Sequence, residues 1–240
     1  MKFFAILIVL ILMNCLELQS QEKKATEISY QRVIEYIEKS KTLVESYFKY
    51  IMKTSIVLTE MGDFDAATNL DGDIPIIRIN VRKILDYTDS SIYILLIHEM
   101  IHAVQCETTD IKKWNNKLAL FLYLEGAAVY LSSIILPGYD EWLYITHYEK
   151  DSSSYWNFEK FEKKAAEYIN NFLEEYNEID ITYLFKYSSR KKELPSRIGY
   201  YLGTEIIKSL GIKGPGVIGL KEEKYIEEVY KYLKKVLPKT

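Results

Sequence analysis

The sequence predicts a mostly helical α+β chain, with a small β-sheet on its N-terminal side packed on a central helix and a helical C-terminal body. Two short β-branched runs, SIVLTEMG and IIRINV, stand among longer segments whose apolar residues recur every three or four positions. Hydrophobic residues reach 48% against 27% charged, enough for a real core. No internal repeat, low-complexity tract or Pro-rich linker divides the chain, so residues 21–240 read as one domain.

The elements follow in order. MKFFAILIVLILMNC has a positive Lys2 and an apolar stretch from Phe3 to Met13. That stretch falls short of the about 20 apolar residues a membrane span needs, and it suits a secretory signal over residues 1–20. Leu12-Met13-Asn14-Cys15 resembles the lipobox of bacterial lipoproteins, which makes Cys15 the expected lipidation site. A plain signal peptide cut near Ser20 is the alternative. Either way the chain is expected to be exported, lipid-anchored at the cell envelope or else secreted or periplasmic. Contact with a membrane is expected only through that signal or anchor, with QEKKATE as a short tether. Cys106 is the one other cysteine, so a disulfide-built fold is excluded.

Residues 28–53 show helical spacing, and SIVLTEMG and IIRINV follow as strands. FDAATNLDGDIP between them reads as a loop, with Asn69, Asp71, Gly72 and Asp73 as turn formers. Helices are expected at about 90–107, 112–135, 155–176, 196–210 and 221–236, with Gly211 stopping one and GPGVIG separating the last two. A net charge of −3 gives no electrostatic reason to expect nucleic acid as a partner.

HEMIH, residues 98–102, lies inside the apolar stretch SSIYILLIHEMIHAVQCE. On a helix His98 and His102 share one face, one turn apart. Both imidazoles can then reach one zinc ion at about 2 Å. Glu99 is offset around the helix, beside the ion, where it can take a proton from water. Only three histidines occur in the chain, and bare imidazoles in a buried helix need partners. A catalytic site requires a third protein ligand and an open position. The pattern H-E-x-x-H-x-x-G-x-x-H fails, because Gln105 replaces the glycine and Thr108 the last histidine. Glu125, the one acid inside WNNKLALFLYLEGAAVYLSSIIL, is the candidate, since a buried carboxylate without a cation is costly. Gly126, Ala127 and Ala128 are small enough to let two helices approach closely. Glu107 lies too near in sequence to fold back.

HEMIH followed by LEGAAVY resembles the gluzincin clan of zinc metallopeptidases, and more narrowly the small bacterial zinc-dependent peptidases whose third-ligand helix carries E-G-x-A-x-Y. The similarity runs from about residue 54 to 210. It implies a zincin-like fold, one Zn2+ held by His98, His102 and Glu125, and hydrolysis of a peptide or protein substrate with Glu99 as general base. The chain departs from thermolysin-like members at Leu124, where they carry Asn, and at Val129, where they carry the Asp that orients a histidine. SRIGYYLGTEIIKSL is similar to a late G-Y-x-x-G segment of those peptidases. That likeness implies Tyr200 as oxyanion donor and Arg197 as a residue that orients it or binds a substrate carboxylate. His147 is an alternative donor, although WLYITHYEK reads more readily as a surface loop. IIRINV is expected to line the cleft and pair with extended substrate. A surface lipoprotein that binds a partner around a closed structural zinc site, with His147 or Cys106 as fourth ligand, is the rival reading.

Overall fold

The computed structural model describes residues 29–71, 74–147, 158–173, 184–185, 194–195 and 197–237. The expected leader, its Cys15 and the tether lie outside them, as do the ends of the helix expected at 155–176.

Helix α1 covers 29–48. A three-stranded sheet follows, from β1 (Ser55–Thr59), β2 (Ala66–Asp71) and β3 (Ile74–Asn80), in the order β1-β3-β2. β1 runs parallel to β3, and β2 antiparallel to it. Register places Ala66 opposite Ile79 and Thr68 opposite Ile77. Cross-strand partners share a face, so Thr68 turns inward with the buried Ile77 and Ile79.

Two expectations change here. AATNLD is a strand, because β3 supplies the pairing that its own weak β propensity does not. IIRINV lies in the central strand, bonded on both sides, so its backbone has no free edge for a substrate. The free edge on the Glu99 side belongs to β2.

Asn80 caps the short α2 (Val81–Ile84) by accepting from Lys83 N. α3 (Asp89–Thr108) starts at Thr88, whose hydroxyl accepts from Ser91 N at 3.3 Å. It is buried almost all round from Ile94 to Gln105, as a helix through the middle of a core must be. A 3-10 turn at Ile111–Lys113 leads to α4 (Lys117–Ile135). This helix starts later than the sequence suggested, because Asn116 Oδ1 caps Ala119 N at 2.8 Å. α5 (Glu141–Thr146), α6 (Phe158–Phe172), α7 (Ile198–Ser209) and α8 (Glu222–Val236) complete the body, with a 3-10 turn at Gly214–Val217. α5 forms where the sequence reads as a loop.

Two apolar cores result. One joins α1, β3, α2 and most of α3. The other joins α4 to α8, with Trp114, Tyr123 and Tyr225 as its aromatic centre. They meet where α3 packs on α4.

Candidate metal centre

Helical periodicity does locally what the spacing of HEMIH implies. The Nε2 atoms of His98 and His102 stand 3.0 Å apart. α4 adds Glu125, whose Oε2 lies 3.0 Å from His98 Nε2 and 3.3 Å from His102 Nε2. Ligand atoms about 2.0–2.1 Å from a tetrahedral zinc are spaced by roughly 3.3 Å. The three separations are of that size, so His98, His102 and Glu125 form a group able to hold a metal ion.

Of the small residues after Glu125, Gly126 serves a different helix contact from the one expected. Gly126 faces α7: a Cβ there would sit 2.2 Å from the Gly203 carbonyl carbon, and one on Gly203 would sit 2.2 Å from the Leu122 carbonyl oxygen. The α4–α7 crossing is therefore a backbone contact that only glycine permits. Ala128 and Leu131 belong instead to the core around α3. The glycine contact fixes α4 from behind while Glu125 points at the histidines.

Gln105 determines the chemistry of His102. Its Nε2 donates to the Leu124 carbonyl oxygen at 3.4 Å, which turns Oε1 toward His102 Nδ1 at 2.8 Å. An amide oxygen only accepts, so Nδ1 carries the hydrogen and Nε2 is left with its lone pair when the ring is neutral. Two nitrogens and a carboxylate oxygen then face one another. A cation is needed among them, and without a metal it is a proton. Burial opposes charge on His102, yet the Glu125 carboxylate outweighs it and lifts the pKa to about 9. Burial also pushes Glu125 up, but the two histidines together hold it far below the usual carboxylate range. Burial holds His98 below the ordinary imidazole value. Its Nδ1 has no hydrogen-bond partner among the described residues.

Glu99 sits beside this group and is buried. Thr68 of β2 donates to its Oε2 at 2.7 Å and also lies 2.9 Å from its backbone carbonyl oxygen. The edge strand thus holds both the side chain and the main chain of the residue between the histidines.

The chain matches no protein-family model, no curated protein and no solved structure.

α7 brings Tyr200 over His98, the rings stacked with centroids 5.9 Å apart. Arg197, expected to orient Tyr200 or bind a substrate carboxylate, is buried, and its guanidinium turns inward. Nη1 donates to the Ile145 carbonyl oxygen at 3.0 Å and to His147 Nδ1 at 3.2 Å, and the guanidinium carbon lies 4.9 Å from the Tyr200 ring centre. His147 is not the surface residue expected. It is buried at the end of α5, its ring centre 4.9 Å from that of His98. Burial and the neighbouring Arg197 hold its pKa well below the usual value. Glu107 stays out of the centre, accepting from Tyr50, Thr54 and Lys53 N.

The sequence left Gln105 and Thr68 without a role at the centre, and it offered His147 only as an alternative donor or fourth ligand, on a surface loop. Gln105 had a signal, lying three residues after His102 on the same helix face. His147 had a weaker one, as the third histidine of a chain with only three. Thr68 had none, since its strand read as a loop.

Proposed function

We propose that the protein is an exported zinc-dependent metallopeptidase of zincin-like architecture, acting on peptide bonds. The convergence of His98, His102 and Glu125 on one point, with Glu99 beside it, is the observation that carries this reading. The metal is read as zinc because two imidazoles and one carboxylate are the ligands of known catalytic zinc sites. A zinc ion held by His98, His102 and Glu125 would act as a Lewis acid toward the carbonyl and would bring the pKa of a bound water to about 7. Glu99 takes the water's proton as general base and returns it to the leaving amine. Thr68 holds one carboxylate oxygen of Glu99, which fixes the orientation of the other. Tyr200, stacked on His98, is the proposed donor to the oxyanion. Extended substrate lies along β2, the free edge nearest Glu99, and pairs with its backbone.

Two features favour this reading over a partner-binding lipoprotein with a structural zinc. The described ligand group has three members, where structural sites close with four. Cys106, offered as a fourth ligand, is not a member of that group among the described residues. A hydroxamate that fails to bind the zinc-loaded protein would favour the closed site. Export and lipidation at Cys15 belong to the same proposal, checked by the mass of the mature N-terminus with and without Cys15→Ala.

The decisive test is Glu99→Gln. The variant should keep its zinc and lose about 10²–10⁴-fold in kcat on a peptide library. Full activity in that variant sinks the hydrolase reading.

A further inference from the structure

His147 stands as near to His98 as His102 does, with ring centres 4.9 Å and 4.6 Å away, yet its nitrogens are not part of the ligand group. What keeps a third buried imidazole from joining two others is its hydrogen bond. A guanidinium has donors only. With Arg197 Nη1 3.2 Å from His147 Nδ1, the Nδ1 atom must present its lone pair to the arginine, and the ring's hydrogen resides on Nε2. Nε2 is buried and has no hydrogen-bond partner among the described residues. A nitrogen that carries hydrogen cannot ligate a metal, and the nitrogen with the lone pair is already engaged.

The backbone adds an independent observation. His147 and Arg197 both adopt the left-handed conformation, with φ of 62° and 61°. Side chains other than glycine seldom do so, and such residues persist where the surrounding structure over-determines them. Here the two strained residues come from different helix ends, α5 and α7, and meet each other beside His98. Arg197 is tied down further by the Ile145 carbonyl oxygen.

We propose that Arg197 is a positioning residue: by donating to His147 Nδ1 it holds that imidazole as the Nε2–H tautomer and keeps the fourth position of the metal group free of protein. The inference rests on the metal reading above. It assigns Arg197 to maintaining an open site, in place of binding a substrate carboxylate.

The test uses the full chain and reads the imidazole nitrogens directly. Two-bond proton–nitrogen correlation spectra of metal-free protein are simple to assign with three histidines. His147 is expected as the neutral Nε2–H tautomer. Zinc should then shift the nitrogens of His98 and His102 and leave those of His147 in place. In Arg197→Met, zinc should shift all three, and its affinity by chelator competition should rise at least about tenfold. The double variant with His147→Ala should return to the wild-type affinity, and His147→Ala alone should change it less than about twofold.

An Nδ1–H tautomer in the metal-free wild type overturns the proposal. So does a zinc-induced shift of His147 in the wild type, or a folded Arg197→Met in which zinc leaves His147 and the affinity unchanged. If Arg197→Met does not fold, the wild-type spectra and His147→Ala decide alone. A wild type that binds no zinc refutes the metal reading itself and takes this inference with it, whatever the tautomer.

Discussion

The two halves of the molecule contribute to the centre in different ways. The N-terminal half, α1 with the sheet and α3, delivers His98, Glu99 and His102 from five consecutive residues and Thr68 from the strand beside them. The C-terminal helical body delivers Glu125, His147, Arg197 and Tyr200 from three separate helices. In the first half the geometry is that of one helical turn, and it survives as long as the helix does. In the second it depends on how α4, α5 and α7 are packed. The difference teaches where the centre is fragile: at the seam between the cores, and at the glycine crossing that sets the position of α4.

Substitutions can break that contrast. The largest effect is expected from Glu125→Ala, which removes the member of the candidate ligand group that the described helical body provides. Metal affinity, followed by chelator competition, should fall more than the roughly 10–100-fold typical of losing an outer partner. The circular dichroism of the protein should stay that of a folded chain. A retained affinity would mean that the α3 pair suffices and that the seam is irrelevant to metal. Gln105→Leu removes the acceptor that fixes His102, and a loss within that same range of about 10–100-fold is expected.

Next comes the crossing itself. Gly126→Ala forces a methyl into the Gly203 backbone, and overpacking of this kind costs about 1–3 kcal/mol. A lower denaturant midpoint together with weaker metal binding would tie the position of Glu125 to α7. A lower midpoint with unchanged metal affinity would separate them.

Proton linkage sharpens the same comparison in chelator-treated protein. His102 has a raised folded pKa, so its contribution is full below the ordinary 6.5 and is lost as pH rises through about 9. His98 and His147 have lowered pKa values, and each costs stability as pH falls below 6.5, where the unfolded chain takes up their protons. Glu125, also lowered, loses its contribution as pH falls below its ordinary 4.5. Metal-free protein should therefore be steadiest near pH 6.5, with denaturant midpoints falling on both sides. Zinc should erase the alkaline decline, because it replaces the proton on His102. An unchanged midpoint between pH 6.5 and 9.5 without metal would contradict the His102–Glu125 coupling. The smallest effect is assigned within the N-terminal half. Thr68→Val should lower kcat about tenfold or less with KM and zinc affinity unchanged, and Thr68→Ser should restore it.

Much of the fold was legible because it is local. The long apolar run of α3 and the helical periodicity of α7 and α8 are plain in the chain, whereas the Asn116 cap that delays the start of α4 went unread. β2 was not legible, since AATNLD becomes a strand only through the ladder that β3 offers. α5 was not, because six residues carry too little pattern to separate a helical turn from a loop.

For the centre, the sequence alone determined the His98–His102 pair and the place of Glu99 next to it, since the helix repeat converts a four-residue spacing into a shared face. It also singled out Glu125, by the cost of an acid in an apolar helix. Only the tertiary structure decided which groups surround them. Gln105 reaches His102 because its own amide is anchored on Leu124, and His147 comes to His98 because Arg197 arrives from another helix. The Leu124 anchor of Gln105 and the meeting of His147 with Arg197 are set by packing between distant segments, and no spacing along the chain encodes them.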